Sequence, residues 1–256
     1  MKPVLPDAFL RAPIAHRALH DVADQRSENS RAAIRAAMQA GYGIEIDLQL
    51  TADGAAVVFH DYDLSRLTGR AGAVRQTTLP DLQQIALLHG DGECMPTFAE
   101  VLSLVDGKVP LLVELKDQDG AMGGNIGVLE AATAQALAGY AGPVALMSFN
   151  PHSVAEMSRL CPHLPRGLVT DGYDPSEWPL SSETCDRLRT IPDFDRVEAS
   201  FISHEASDLT RPRVLQLQQR GVPVLCWTVQ SPEMEAQART VADNVTFEGY
   251  LADIPA

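Results

Sequence analysis

The sequence predicts an α/β fold, a single-domain irregular TIM-type (β/α)8 barrel, and three observations lead to this prediction. Short runs rich in β-branched residues recur along the chain with helical patterns between them, as expected for βα units in series. A length of 256 residues suits one such barrel. No Pro/Ser-rich linker, charge block or shift in composition divides the chain, so the predicted domain spans residues 1–256.

The strands are predicted from apolar runs bounded by turn residues. A late run, Asn244–Leu251, either adds a ninth strand or replaces one of the other eight. The eight are Pro13–His16, Ile44–Leu50, Ala55–His60, Leu111–Leu115, Val144–Phe149, Gly167–Thr170, Arg196–Phe201 and Val222–Val229.

Helix start and stop signals lie between the strands. Ser30 precedes a helical pattern over Arg31–Ala40, and Gly41 follows it as a stop. A further helix, Arg211–Arg220, ends before Gly221. Capping boxes, in which a hydroxyl and a carboxylate bind free backbone N–H groups, are predicted for the pairs Thr78 with Asp81 and Thr97 with Glu100.

The connection Thr51-Ala52-Asp53-Gly54 is too short for the crossover that parallel neighbours need. Asp-Gly is a strong hairpin signal, so part of the stretch from Ile44 to His60 is expected to leave the barrel and return. The tight turn keeps the two segments close in space.

Charge and composition narrow the class of protein. Twenty basic against 34 acidic residues give a net charge of −14, which disfavours binding to nucleic acid or to an anionic membrane. The four cysteines form no CxxC pair, so neither a zinc site nor a disulfide framework is indicated. No signal peptide or membrane-spanning run is apparent, and a cytoplasmic protein is expected. The oligomeric state is left open.

Ionisable groups lie within or directly after four consecutive predicted strands. They are His16-Arg17, Glu45 with Asp47, His60-Asp61, and Glu114 with Lys116. Catalytic groups of a TIM barrel gather at the carboxyl ends of its strands, so these side chains are expected to converge. Residues two apart on a strand share a face, which places Glu45 beside Asp47 and Glu114 beside Lys116.

Three convergent carboxylates need a proton or a cation in order to coexist. An all-oxygen set favours one divalent cation, Mg²⁺ or Ca²⁺, with Mn²⁺ as a further option, over zinc. With that cation, Arg17 and Lys116 balance the charge of the carboxylates and of one phosphodiester. His16 and His60 then supply an acid and a base for hydrolysis.

The ordered motifs resemble those of the glycerophosphodiester phosphodiesterase family. The resemblance covers residues 13–250 and rests on His16-Arg17, Ser27-Glu28-Asn29-Ser30, Glu45-Ile46-Asp47, Asp53-Gly54, Val57–Asp61, Glu114-Leu115-Lys116, Ser148-Phe149 and Trp227-Thr228-Val229. Three departures stand out. Ala18 replaces a usual glycine, Ser27 and Ser30 flank Glu28-Asn29, and Asn244–Tyr250 lacks the usual closing Thr-Asp.

The resemblance implies a role for each motif residue. Glu45, Asp47 and Glu114 would bind the metal, and His16 and His60 would be catalytic. Arg17 and Lys116 would bind the phosphate, and Phe149 and Trp227 would form a wall of the substrate-binding cleft. Glu28 and Asn29 are expected to act as a helix cap and as support for Arg17. His20, His89, His152, His163 and His204 are expected in ordinary surface or loop positions.

The expected reaction is hydrolysis of soluble glycerophosphodiesters to glycerol 3-phosphate and an alcohol, without stable membrane association. Three alternatives stay open. One is a phospholipase-like relative acting on intact lipid, which would need a membrane-docking loop. The others are a Mg²⁺-dependent aldolase or isomerase, and a non-catalytic barrel that binds a metal or a sugar phosphate.

Overall fold

The strands of the protein are short, and most of their residues are buried. The computed structural model describes residues 2–255, so Met1 and Ala256 of the predicted domain lie outside the described residues. The strands are β1 (Ile14–Ala15), β2 (Gly43–Leu50), β3 (Ala56–Val58), β4 (Leu111–Leu115), β5 (Val144–Ser148), β6 (Arg166–Thr170), β7 (Phe201–Glu205), β8 (Val224–Val229) and β9 (Asn244–Phe247).

Eight of these strands close into a parallel barrel. Their order around the ring is β1, β2, β4, β5, β6, β7, β8 and β9, and β9 pairs in parallel with β1 to complete it. Burial on both faces explains why the strands read as continuous apolar runs rather than as alternating patterns. The predicted fold class, an α/β barrel of the TIM type, is confirmed.

The third predicted strand, Ala55–His60, was wrongly counted in the barrel. Its observed part, β3, pairs antiparallel with the end of β2, with Leu48 opposite Val58 and Leu50 opposite Ala56. Gly54 has the left-handed backbone that the tight turn needs, with φ 84°. The expected departure from the barrel is therefore seen, and β9 supplies the eighth barrel strand.

The strand predicted over Arg196–Phe201 was placed too early in the chain. Residues 192–198 form turns, closed by a bond from the Val197 N–H to the Asp193 carbonyl at 2.9 Å. Glu198 has a positive φ of 52°, which ends any extended run there. The strand instead runs over Phe201–Glu205, where polar side chains concealed it in the sequence.

The helices pack outside the barrel. They are α1 (Ala8–Arg11), α2 (Arg31–Ala40), α3 (Ser65–Thr68), α4 (Leu79–Leu82), α5 (Phe98–Val105), α6 (Val128–Ala136), α7 (Pro151–Leu160), α8 (Ser182–Arg189), α9 (Pro212–Gln219) and α10 (Pro232–Ala238). Among residues 2–255, none of them is both long and apolar enough to cross a membrane.

Most helix ends follow the predicted chemistry, but the predicted box of Thr78 with Asp81 is incomplete, because the Asp81 carboxylate binds the Thr78 hydroxyl and not its backbone N–H. The Ser30 hydroxyl accepts a bond from the Ala33 N–H at 3.1 Å, and Gly41 ends α2 with φ 81°. Thr97 and Glu100 form the predicted capping box of α5. Ser30 begins α2 through its own side chain, so the amide of Asn29 is free for another role.

An apolar cluster fills the barrel interior toward the amino-terminal ends of the strands. Its members are Leu5, Phe9, Ile14, Leu112, Ala145, Met147, Val169, Phe201 and Leu225. The cluster closes the amino-terminal end of the barrel. Side chains nearer the carboxyl ends of the strands therefore surround a space that opens only at the other end.

Candidate active site

A cleft at the carboxyl ends of the strands brings the predicted residues together. It has about 430 Å³ of empty space and is open to solvent. His16, Arg17, Glu45, Asp47, His60, Glu114, Lys116, Phe149 and Trp227 all line it. Glu28 and Asn29 lie behind this layer, in contact with two of its members.

Glu45, Asp47 and Glu114 form one compact acidic group. One carboxylate oxygen of each lies within 4.8 Å of the others, and all three side chains are buried. Glu45 and Asp47 lie two apart on β2, and Glu114 on β4 is the direct pairing partner of Asp47. The strand register therefore produces the convergence that the sequence spacing predicted.

The acidic group is electrostatically strained. Burial, followed by the nearby Asp47 and Glu114 carboxylates, raises the pKa of Glu45 well above its ordinary value. Asp47 is buried too, but Lys116 and the neighbouring cationic groups outweigh that burial and lower the pKa of Asp47. A set with one carboxyl that resists ionisation is well suited to a cation.

Two side-chain cations adjoin the carboxylates. The Lys116 Nζ lies 2.9 Å from Glu114 Oε1 and 3.3 Å from Asp47 Oδ1. Although Lys116 is buried, these two carboxylates raise its pKa above the ordinary value. The Arg17 guanidinium lies 3.7 Å from Asp47, and its Nε has no hydrogen-bond partner among the described residues. Lys116 and Arg17 thus place positive charge at the cleft.

The Arg17 turn also presents its backbone to the acidic group. The Arg17 N–H donates to Glu45 Oε2 at 2.9 Å, and the Ala18 N–H donates to the Glu45 carbonyl at 3.0 Å. Both residues are left-handed, with φ of 51° and 64°. Ala18, the residue that departs from the family's usual glycine, therefore occupies a conformation that glycine adopts more easily.

Glu28 and Asn29 support this layer from behind. Glu28 Oε1 accepts a bond from Arg17 at 2.9 Å, and Glu28 also binds Arg66. The Asn29 amide donates to Asp47 Oδ2 at 2.9 Å, while Ser30 caps the helix. The helix-cap part of the expectation for these two residues was wrong, because the free N–H groups of α2 are bound by Ser30 and by the Glu93 carboxylate. Arg66 was not predicted, since it comes from the insertion after β3.

His16 is held by Glu248, which the sequence did not single out. The His16 Nδ1 lies 2.6 Å from Glu248 Oε2, and the same carboxylate lies 3.5 Å from His20. Gln230 donates to the other Glu248 oxygen at 2.8 Å. Burial lowers the pKa of His16 despite the Glu248 hydrogen bond, which favours the neutral ring.

His60 reaches the cleft because the β3 hairpin folds back along β2. The Phe59 N–H donates to the Asp47 carbonyl at 3.0 Å, and the Gln49 amide donates to the His60 carbonyl at 3.0 Å. The His60 Nδ1 lies 2.8 Å from Asp61 Oδ1. Each cleft histidine is therefore paired through Nδ1 with a carboxylate, and Nε2 is the nitrogen left for substrate.

Aromatic rings form one wall of the cleft. Phe149 and Trp227 meet edge to face with centroids 5.5 Å apart, and Trp178 lies 5.1 Å from Phe149 on its outer side. The Trp227 Nε1 donates to the Ser203 carbonyl at 3.1 Å, so the polar edge of that indole is used within the protein. Trp178 follows β6 in a loop, where no strand pattern could have marked it.

His204 differs from the expectation of a surface or loop position. It is fully buried on β7, with Nδ1 2.8 Å from the Thr170 hydroxyl and Nε2 3.1 Å from Asp208. Asp208 follows a strand that was predicted too early in the chain, so this contact was not expected. His20 lies in a loop, as expected, 3.5 Å from Glu248.

The carboxylates, histidines and cationic side chains at the open end of the closed barrel are the groups that a phosphoric diester hydrolase uses. The chain belongs to the glycerophosphoryl diester phosphodiesterase family, whose sequence profile matches residues 16–250. The family resemblance read from the sequence motifs is thereby confirmed.

Known proteins are similar over nearly the whole chain. The structure of an Oleispira antarctica phosphodiesterase in complex with the product sn-glycerol-3-phosphate aligns with a TM-score of 0.77, 25% identity and 94% of each chain covered. A Caldanaerobacter subterraneus glycerophosphodiester phosphodiesterase is 29% identical over 227 residues, which cover 85% of this chain and 87% of that protein. YhdW of Bacillus subtilis is 28% identical over 250 residues, or 94% of each.

Proposed function

We propose that the protein hydrolyses small, soluble glycerophosphodiesters to glycerol 3-phosphate and an alcohol with a divalent cation bound in the cleft. One observation carries the proposal. Three buried carboxylates, two histidines, Arg17 and Lys116 line a single cleft at the open end of the barrel. That combination neutralises a phosphodiester and also supplies a proton acceptor and a proton donor.

The carboxylates fit a hard divalent cation. Glu45 and Asp47 each use one oxygen on a protein N–H donor, which leaves the other oxygen to face the acidic group. The ligand atoms of the three residues are within 4.8 Å of one another, and all are oxygens, as Mg²⁺, Ca²⁺ and Mn²⁺ prefer. When bound, the cation would supply positive charge to the phosphoryl oxygens.

Arg17 and Lys116 hold the phosphodiester. Arg17 is fixed by Glu28 on the side away from the cleft, and its Nε–H has no partner among residues 2–255. Lys116 bridges Glu114 and Asp47, so its ammonium is held at the cleft. These contacts keep both cations in place before substrate arrives, which reduces the cost of ordering them.

The two histidines transfer protons at opposite sides of the phosphorus. His16 is the neutral partner because burial lowers its pKa, and its Nε2 accepts a proton from the attacking hydroxyl. His60, paired with the Asp61 carboxylate, donates a proton to the leaving oxygen. The attacking hydroxyl is the 2-hydroxyl of the substrate's glycerol, which forms a cyclic phosphate as the head-group alcohol leaves. Water then opens the cyclic phosphate to glycerol 3-phosphate, with the roles of the two histidines exchanged.

The main rival is a phospholipase-like activity on intact lipid. Both activities use the same chemistry, so a side-by-side assay of glycerophosphocholine and phosphatidylcholine vesicles separates them. The proposal expects turnover of glycerophosphocholine, with glycerol 3-phosphate identified by mass, and little cleavage of vesicles. Faster cleavage of the vesicles would establish the rival. The cytoplasmic location expected from the sequence stays a prediction.

A further inference from the structure

Two buried hydroxyls in the cleft have no use in the chemistry described above. Ser203 is 0% exposed and Thr246 is 1% exposed, and both line the cleft. Neither the Ser203 Oγ nor the Thr246 Oγ1 has a hydrogen-bond partner among the described residues. A buried hydroxyl without a partner lowers the stability of the fold. A ligand that binds both groups would offset this loss of stability.

The strand register shows that both hydroxyls point into the barrel. Ser203 on β7 pairs with Leu225 on β8, and Thr246 on β9 pairs with Ile14 on β1. Leu225 and Ile14 belong to the apolar cluster that closes the amino-terminal end of the barrel. In parallel strands, directly paired residues share a face. Ser203 and Thr246 therefore project inward at the floor of the cleft.

The two hydroxyls flank the β8 strand that carries Trp227. Because the Trp227 Nε1 already donates to the Ser203 carbonyl, the indole offers the cleft mainly its apolar ring. Met147 and Val169 line the same cleft without any polar group. On the side of β7, β8 and β9 the floor is thus largely apolar, with the two hydroxyls as its polar groups, while Glu45, paired with Leu112, faces it from β2.

We propose that Ser203 and Thr246 bind the free hydroxyls of the substrate's glycerol moiety and so select deacylated substrates. A glycerol hydroxyl can donate and accept one bond at once, as Ser and Thr hydroxyls do. The quaternary ammonium of a choline head group has no hydrogen-bonding group and would leave both hydroxyls without a partner. The head group therefore points to the mouth, beside Phe149. The inference rests on the proposed function and adds how the glycerol end is recognised.

An acyl chain on the glycerol would defeat this arrangement in two ways. Esterification removes the donor hydrogen of the hydroxyl, so Ser203 or Thr246 would lose a partner. It also adds a long chain at the floor, where Leu225 and Ile14 belong to a packed apolar cluster. Selection against intact phospholipid then originates at the glycerol end and not at the head group.

The test compares variants on two substrates that differ in one hydroxyl. Ser203→Ala, Thr246→Val and the double variant are assayed with glycerophosphocholine and with 2-hydroxypropyl phosphocholine, which lacks the distal glycerol hydroxyl. Ser153→Ala and Thr133→Val are matched controls, because both hydroxyls are buried and unpartnered among the described residues but lie outside the cleft. Melting temperatures of all variants are measured in parallel.

Each cleft variant is expected to lower kcat/KM for glycerophosphocholine by roughly 3- to 10-fold, the effect of one neutral hydrogen bond. The wild type should prefer glycerophosphocholine over the 2-hydroxypropyl compound, and the double variant should lose that preference. The controls should keep it. Equal losses on both substrates, or no loss, would overturn the inference.

Failure of the proposed function gives a different pattern, since the wild type would then cleave neither diester. In that case the binding of glycerol 3-phosphate and of inorganic phosphate is measured by calorimetry. Weaker binding of glycerol 3-phosphate alone in the double variant would still support the glycerol site. Unchanged binding of both ligands would contradict it.

Discussion

The Nδ1 of His16 lies 2.6 Å from the Oε2 of Glu248, although 232 residues separate the two in the chain. The contact forms because β1 and β9 are neighbours in the closed barrel, so that their carboxyl ends adjoin. It fixes the ring with its Nδ1–H toward Glu248 and leaves Nε2 as the basic nitrogen. Barrel closure thus positions the histidine to which we assign the first proton transfer.

Removing the charge of Glu248 should weaken His16 as a base. Glu248→Gln is expected to lower kcat by roughly 10- to 100-fold, the usual effect of a lost orienting partner. Because the carboxylate raises the pKa of His16 against the effect of burial, its loss should move the acid limb of kcat/KM to lower pH. The pH profile of kcat/KM tests the direction of this shift. Glu177→Gln, which replaces an exposed carboxylate, is the control. An acid limb that stays in place would separate Glu248 from the His16 titration.

Either cleft histidine should be essential. His16→Ala and His60→Ala are each expected to reduce kcat by about 10²- to 10⁴-fold, because each loses a positioned acid or base. Calorimetric affinity for Ca²⁺ should stay near that of the wild type, since neither ring is among the three clustered carboxylates. His163→Ala, an exposed position, is the control. A variant that retained more than about half of its activity would remove that histidine from the mechanism.

Glu45 and Asp47 should have opposite effects on the stability of metal-free protein. The pKa of Glu45 is raised by burial and by nearby carboxylates. The contribution of Glu45 to the free energy of unfolding is therefore fully present below its unfolded-state pKa and is lost as the pH rises toward its folded-state pKa. Glu45→Gln should therefore raise the melting temperature at pH 8 more than at pH 5.

The pKa of Asp47 is lowered, so its contribution is present above the unfolded-state pKa and is lost only in acid. Asp47→Asn should accordingly lower the melting temperature at pH 8. Thermal melts in EDTA measure both variants. Stabilisation by both substitutions, or by neither, would contradict the charge balance described for the cleft.

Ala18 tests the strained turn beside Arg17. Ala18→Gly should be nearly neutral, because relief of the left-handed φ of 64°, about 1–2 kcal/mol, is offset by the lost methyl burial and added chain entropy. Ala18→Val should destabilise the protein and reduce activity, since β-branched residues rarely adopt this conformation. Chemical denaturation and kcat/KM give the comparison. A Val variant that behaved like wild type would show that the turn is not required.

Local spacing made much of this site predictable. Glu45 with Asp47, and Glu114 with Lys116, lie two apart on strands, so period-two geometry alone brings each pair onto one face. The helix over Arg31–Ala40 was equally readable, because its hydroxyl cap and its glycine stop are both local signals.

Long-range pairing explains what the sequence concealed. Glu248 becomes significant only when β9 closes the ring, and Arg66 reaches Glu28 from an insertion with no regular pattern. The β7 strand was missed because Ser203 and His204 read as a polar end. In the fold the first faces the cleft, and the second bonds to Thr170 and Asp208. Partners remote in sequence satisfy such residues, and no local rule identifies those partners.

The central claim, a metal-dependent glycerophosphodiesterase, is tested most directly by one measurement on the wild-type protein. Glycerophosphocholine is incubated with enzyme in excess EDTA and again after Mg²⁺, Ca²⁺ or Mn²⁺ is restored, and the products are identified by mass. The three clustered carboxylates predict no turnover with chelator, and release of glycerol 3-phosphate and choline with at least one of the cations. Full activity in EDTA, or release of phosphocholine instead, would contradict the claim.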